Sequence, residues 1–142
     1  AGWGKQHIYD VSDTSTPIEI ATFAIRRSID GPEGIGFDGF YSSHNTAISG
    51  SLAITSWYSN GVRIVDLSDP ATPNEIGSFV PPRARDPVNY WVAPNGATAF
   101  PMVWGVDVAD DLIFVSDMNS GLWIIRSNVD TSTEDEPGPA PG

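Results

Sequence analysis

Residues 64–79 read IVDLSDPATPNEIGSF, and residues 8–23 read IYDVSDTSTPIEIATF. The two stretches align without a gap at a shift of 64 − 8 = 56, and 9 of their 16 positions are identical. A second ungapped match sets residues 44–65, HNTAISGSLAITSWYSNGVRIV, over residues 104–125, WGVDVADDLIFVSDMNSGLWII, at a shift of 104 − 44 = 60. Identities are fewer here (Leu52/Leu112, Ser56/Ser116, Gly61/Gly121 and Ile64/Ile124), but the apolar pattern agrees along the whole match. Self-similarity of this kind marks a repeat architecture, in which each unit buries an apolar face against its neighbour.

One unit can be read strand by strand. Thr46–Ser49 is a first strand and Gly50-Ser51 turns the chain; Leu52–Trp57 is a second, rich in β-formers. Ser59-Asn60-Gly61 supplies a hairpin turn from residues that tolerate positive φ, and Val62–Leu67 is a third strand. Ser68-Asp69-Pro70 ends it, and Pro73 restarts the chain into a fourth, Glu75–Val80. Four short antiparallel strands per unit describe a β-propeller blade, and no window holds a helical apolar period. The expectation is an all-β chain of propeller blades with almost no helix. Residues 3–23 are a partial blade, residues 44–80 a full blade and residues 104–127 a three-stranded blade, together an incomplete propeller. The chain is expected to start in mid-blade and to end its last blade as a natural C-terminus would. Residues 128–142 are rich in acids, Pro and Gly and cannot bury a face, so they read as a disordered tail. The acids of the repeated Asp-x-Ser-Asp corner (Asp10 and Asp13, then Asp66 and Asp69) read as turn caps, with calcium ligation the weaker alternative.

The balance of 7 Lys+Arg against 18 Asp+Glu gives a net charge of −11, a field that opposes contact with nucleic acid or an anionic membrane. The absence of Cys excludes disulfides, thiolate metal sites and Cys nucleophiles. No apolar run approaches the roughly 20 residues that a membrane-spanning helix needs. Ala1-Gly2-Trp3-Gly4 has neither the basic start nor the apolar run of a signal peptide, so the numbering is expected to begin at a processed, truncated or engineered end.

The segments GVRIVDLSDPATPNEIGSF and MNSGLWIIR, with SWYSNG between strands, resemble the LVIVD-repeat β-propeller proteins. The resemblance spans Trp3 to Arg126. It implies an extracellular or cell-surface protein and supplies no catalytic residue.

Strand direction places both long connections, 24–43 and 81–103, on one face of the blades, together with the turn after each second strand. Long loops on a rigid scaffold are the expected place for binding. Arg26, Arg27, Arg83 and Arg85 gather the basic charge there, suited to an anionic ligand or to pairing with Asp30, Glu33, Asp38 and Asp86. The loop aromatics, among them Phe37, Phe40, Tyr41, Tyr90, Trp91 and Phe100, suit stacking on sugar rings or packing as the loops' own small core. His44 and Trp104 occupy equivalent positions where each innermost strand begins, at the mouth of a central channel. The expected ligand-contacting set is therefore Arg27, Arg83, Arg85, Tyr41, His44, Tyr90, Trp91 and Trp104. No G-x-S-x-G elbow is present, and Asp107, Asp110, Asp111, Asp117 and Asn119 divide between opposite faces, which weakens a calcium reading. The leading expectation is a non-enzymatic binding scaffold with no cofactor and a protein, anionic or carbohydrate partner. The rivals are a propeller hydrolase or lactonase with a channel metal near His44, and a carbohydrate-binding module. Bare strand edges at both ends predict head-to-tail self-association of two to four chains, three being the first expectation.

Overall fold

The computed structural model describes residues 4–30, 35–36, 39–88, 92, 96 and 98–128. Its strands are β1 (Gln6–Asp10), β2 (Ile18–Phe23), β3 (Ile35–Gly36), β4 (Gly39–Phe40), β5 (Thr46–Ser49), β6 (Leu52–Ser56), β7 (Val62–Asp66), β8 (Asn74–Phe79), β9 (Val103–Ala109), β10 (Leu112–Asp117) and β11 (Gly121–Arg126). The sheets run β1-β2, β3-β4, β5-β6-β7-β8 and β9-β10-β11, with every pairing antiparallel. The protein is thus all-β and built of blade-like sheets. The four strands of the full blade lie within one residue of their expected bounds. The long connection after β2 is more ordered than a plain loop. It holds the short β3-β4 pair and a helix of one turn, α1 (Arg26–Asp30), closed by Arg26 Nε donating to Asp30 Oδ2 at 2.9 Å.

Alternation in β6 and β7 explains the packing. Leu52 and Ile54 on β6, with Val62 and Ile64 on β7, pack against Val103, Ile113 and Val115 of the three-stranded sheet, with Val106, Val108, Trp123 and Ile125 at the margin. The opposite face of β6 meets the β1-β2 pair, where Gln6 Nε2 donates to Thr55 Oγ1 at 2.7 Å and to Thr46 Oγ1 at 3.2 Å. All five residues of β6 are buried, because a strand inside a stack of sheets is covered on both faces. Gly61, at φ 74°, has the Phe79 carbonyl oxygen 2.0 Å from where a Cβ would stand, so the hairpin turn and the β7-β8 pair close onto a position only Gly can fill.

The repeat extends to atomic detail. A bulge falls between Ile8 and Tyr9 and recurs between Ile64 and Val65, 56 positions on. Asp66 Oδ1 accepts from Ser68 N at 2.8 Å and from Ser68 Oγ at 2.6 Å, and Asp10 accepts from Ser12 N and Oγ at the same distances. Asp13 and Asp69 likewise accept from Ser15 N and Ala71 N and from the hydroxyls of Thr16 and Thr72. These acids cap turns. Hydrogen bonds from the serine hydroxyl first, and its backbone N–H second, hold the carboxyls of Asp10, Asp13 and Asp66 below their usual range. A folded-state pKa below the unfolded one stabilises the fold above the unfolded value, about 3.9 for Asp, and that contribution is lost as pH falls through the folded value. The melting temperature should therefore fall below about pH 4, and the double variant Asp10→Asn/Asp66→Asn should start lower at neutral pH and fall less steeply. Acid melts from pH 7 to pH 2 that ran parallel for the two proteins would contradict this account.

Two clefts flank the central sheet. One, of about 500 Å³, lies between β1 and β5–β7 and is walled by Ile8, Phe23, Ile48, Ala53, Val65 and Leu67. The other, of about 360 Å³, lies between β7-β8 and β10-β11 and is walled by Val62, Ile64, Phe79, Ile113 and Ile125.

Candidate functional site

The loop face is built from residues that recur 60 positions apart. Ser59 N donates to the Phe40 carbonyl at 2.9 Å, and Phe40 N returns a bond to Ser59 Oγ at 2.9 Å. At the equivalent positions Asn119 Nδ2 donates to the Phe100 carbonyl at 2.8 Å. Each second-to-third-strand turn therefore holds the connection that enters its own sheet. Trp57 and Asp117, also equivalent, add a second tie of different chemistry. The fully buried Trp57 donates from Nε1 to Ser28 Oγ at 2.9 Å, and Ser28 Oγ in turn donates to the Tyr41 carbonyl. Asp117, 4% exposed, accepts from Met102 N at 2.6 Å, Asn119 N at 2.9 Å, Ser120 N at 2.7 Å and Ser120 Oγ at 2.9 Å. Its carboxylate is occupied in anchoring a loop to a turn.

On this base stands an aromatic cluster. The His44 ring lies 4.2 Å from that of Trp104 and 5.1 Å from that of Tyr58, centroid to centroid, and Tyr58 and Trp104 are 5.9 Å apart. His44 Nδ1 is 2.6 Å from the Trp104 carbonyl oxygen. A carbonyl only accepts, so Nδ1 donates here, and Nε2 is the ring nitrogen left outside this bond. Ser56 Oγ donates to the same carbonyl at 3.0 Å. Tyr58 is held at φ 39°, a left-handed conformation costly for an aromatic residue, and its carbonyl accepts from Val103 N at 3.1 Å. Burial pushes the Tyr58 phenol up, so it stays a proton donor at neutral pH. His44 is exposed, and Trp104 is 41% exposed.

Of the remaining expected site residues, Arg27, Tyr41, Arg83 and Arg85 are among the described ones. Arg27 is exposed on α1, but its guanidinium lies 4.8 Å from the centroid of the Tyr41 ring and donates to the Tyr41 hydroxyl. Tyr41 itself is buried, packed with Ile25 and Trp57, and so supports the loop from beneath. Arg83 and Arg85 are exposed, with Arg83 Nη1 donating to the Thr98 carbonyl at 3.2 Å. Tyr90 and Trp91, with Phe37, Asp38 and Glu33, lie outside the described residues. Phe40, Phe100, Met102, Tyr58 and Met118 pack together as a small core under the loop face. Asp111 pairs with Arg126, and among the described residues no group of three or more His, Asp or Glu is placed to hold a metal. No helix of the described residues is long and apolar enough to cross a membrane.

Tyr58 was not among the expected site residues. Its signal in the sequence was its position in the SWYSNG turn, opposite Met118 in the second self-alignment. Comparison with known proteins matches residues 42–80 to the LVIVD repeat. No curated protein and no solved structure matches the chain.

Proposed function

From a chain that carries an LVIVD repeat at residues 42–80, we propose a non-enzymatic binding scaffold, displayed outside the cytoplasm, that takes its ligand on the loop face at His44, Tyr58 and Trp104. The extracytoplasmic part of this reading rests on the family resemblance. The observation that carries the binding part is the exposed Trp104 indole, fixed by ring contacts to His44 and Tyr58 over turns that are tied down by buried hydrogen bonds. A pre-ordered aromatic surface binds without paying the ordering cost of a mobile loop. It offers flat apolar faces, a phenol donor and one imidazole nitrogen, a set suited to recognition by stacking and a few hydrogen bonds.

The carbohydrate-binding reading gains most from this arrangement. Sugar rings present apolar C–H faces to aromatic rings and hydroxyls to Nε2 and the phenol, whereas the net charge of −11 disfavours an anion. Titration with neutral cello-, xylo-, manno- and chito-oligosaccharides, followed by calorimetry, tests it. Binding of at least one class is expected, with Trp104→Ala weakening it about tenfold, a loss of about 1.4 kcal/mol, at an unchanged melting temperature. Absence of binding, or equal binding by the variant, would overturn the carbohydrate reading. The hydrolase or lactonase reading needs a divalent ion at His44 Nε2. A divalent transition-metal ion that raised the melting temperature and brought ester hydrolysis would favour it instead.

A further inference from the structure

The cleft between β7-β8 and β10-β11 is apolar inside and charged at its mouth. Its floor is buried: Val62, Ile64 and Ile113 are 1%, 6% and 0% exposed. At the loop-face end the rings of Phe79 and Trp123 meet, 5.7 Å apart between centroids, and close the slot. Its volume is about 360 Å³, whereas an apolar cavity of about 150 Å³ already takes up benzene. A branched or aromatic side chain therefore fits inside.

Gly77 keeps part of this space open. It stands opposite Ile64, and directly opposed residues of an antiparallel pair project to the same face, so a side chain at position 77 would point into the cleft. The backbone does not demand glycine there, because Gly77 is not among the residues at positive φ. Glycine inside a strand weakens it and marks either a bulge or the close approach of another group. The bulge does not account for it: the first repeat has the same bulge, between Ile8 and Tyr9, yet carries Ala21 at the equivalent position, 77 − 56 = 21. Close approach of another group is the reason left.

Where β11 runs out, the lining of the cleft turns polar, with Arg126, Ser127 and Asn128. Arg126 Nη1 is ion-paired with Oδ2 of Asp111, from the turn between β9 and β10, and both side chains are exposed. The apolar slot thus ends beside one cation and one anion. A ligand bearing a single charge meets an attraction and a repulsion there. A zwitterion meets two attractions, and being neutral overall it is not repelled by the net charge of −11.

We propose that this cleft binds a free apolar α-amino acid of the leucine or phenylalanine kind. Its side chain lies between Ile64, Ile113 and Ile125, its carboxylate at Arg126 and its ammonium at Asp111. Burial of the side chain supplies most of the affinity, and the exposed charges select the head group. The site lies at the opposite end of the blades from His44, Tyr58 and Trp104, and it stands independently of the ligand proposed there.

Calorimetric titration of the full chain with L-leucine and L-phenylalanine tests the proposal. Saturable one-to-one binding of at least one is expected. Gly77→Leu, which fills the slot, should abolish it with unchanged far-ultraviolet dichroism. N-acetylleucine and leucinamide each lack one charge and should bind more weakly than leucine, by roughly two- to fivefold, the scale of an exposed ion pair. Asp111→Asn/Arg126→Gln should weaken leucine by roughly fivefold and remove its preference over those analogues, which keeps the test open should Gly77→Leu fail to fold. Trp104→Ala should change none of this. Absence of saturable binding by both amino acids would overturn the proposal, as would full affinity in a folded Gly77→Leu. Equal binding of leucine and its two analogues by the wild-type protein would overturn it too, and so would loss of binding in Trp104→Ala, by placing the ligand on the loop face.

Discussion

Asp117→Ala is expected to destabilise the protein by about 3 kcal/mol or more, because buried hydrogen bonds to a charged acceptor are worth about 1.5–3 kcal/mol each and do not add fully. The carboxylate is 4% exposed and accepts from three backbone N–H groups, those of Met102, Asn119 and Ser120. Truncation strands those donors where water reaches them poorly, and it releases the connection into β9 from the β10-β11 turn. For a chain of this length the loss corresponds to a melting temperature lower by roughly 10 °C. Asp117→Asn keeps one acceptor oxygen but turns an NH₂ group toward a backbone donor, so it should cost less than Ala and more than nothing. Thermal melts of the three proteins check the ranking. A shift below roughly 3 °C for the Ala variant would show that the turn holds without its carboxylate.

Trp57→Ala should cost about 3–5 kcal/mol, the range for removing a large aromatic residue from a close-packed core. Trp57 is fully buried, meets Phe23 edge-on at 5.6 Å between centroids, and donates to Ser28 Oγ. The cavity would open between the β1-β2 pair, α1 and the central sheet, where Ile25 and Tyr41 also pack. Trp57→Phe refills most of the space but leaves Ser28 Oγ without its donor, a loss of about 1 kcal/mol. Denaturant unfolding of both variants separates the packing contribution from the hydrogen bond. Equal losses would mean that the ring's volume contributes little, contrary to its burial.

The strands were legible because their signals are local. Alternation in Leu52–Ser56 and Val62–Asp66, and turn residues at Gly50-Ser51 and Ser59-Asn60-Gly61, constrain φ and side-chain direction within a few positions. The Asp corners were legible for the same reason, since each cap closes over two or three residues. The helical turn at Arg26–Asp30 was missed because five residues carry too little period to be seen. Of the two readings the sequence left open for the loop aromatics, Tyr41 takes the packed one, and the choice was not legible because its surroundings come from Ile25 and Trp57, up to 16 positions away in the chain.

His44 and Trp104 were found by equivalence. Their ring contact, and the place of Tyr58 beside them, required the two sheets to be brought together. By itself the sequence determined the repeat, the blade strands, their pairing order and the face that carries the long connections, because alternation and turn chemistry act over a few residues. Only the tertiary structure decided which aromatic rings meet, which proton His44 holds, and that Trp57 and Asp117 fasten equivalent loops by unlike means. Those outcomes depend on packing and hydrogen bonds between residues 15 to 60 positions apart, where no local preference of the chain reaches.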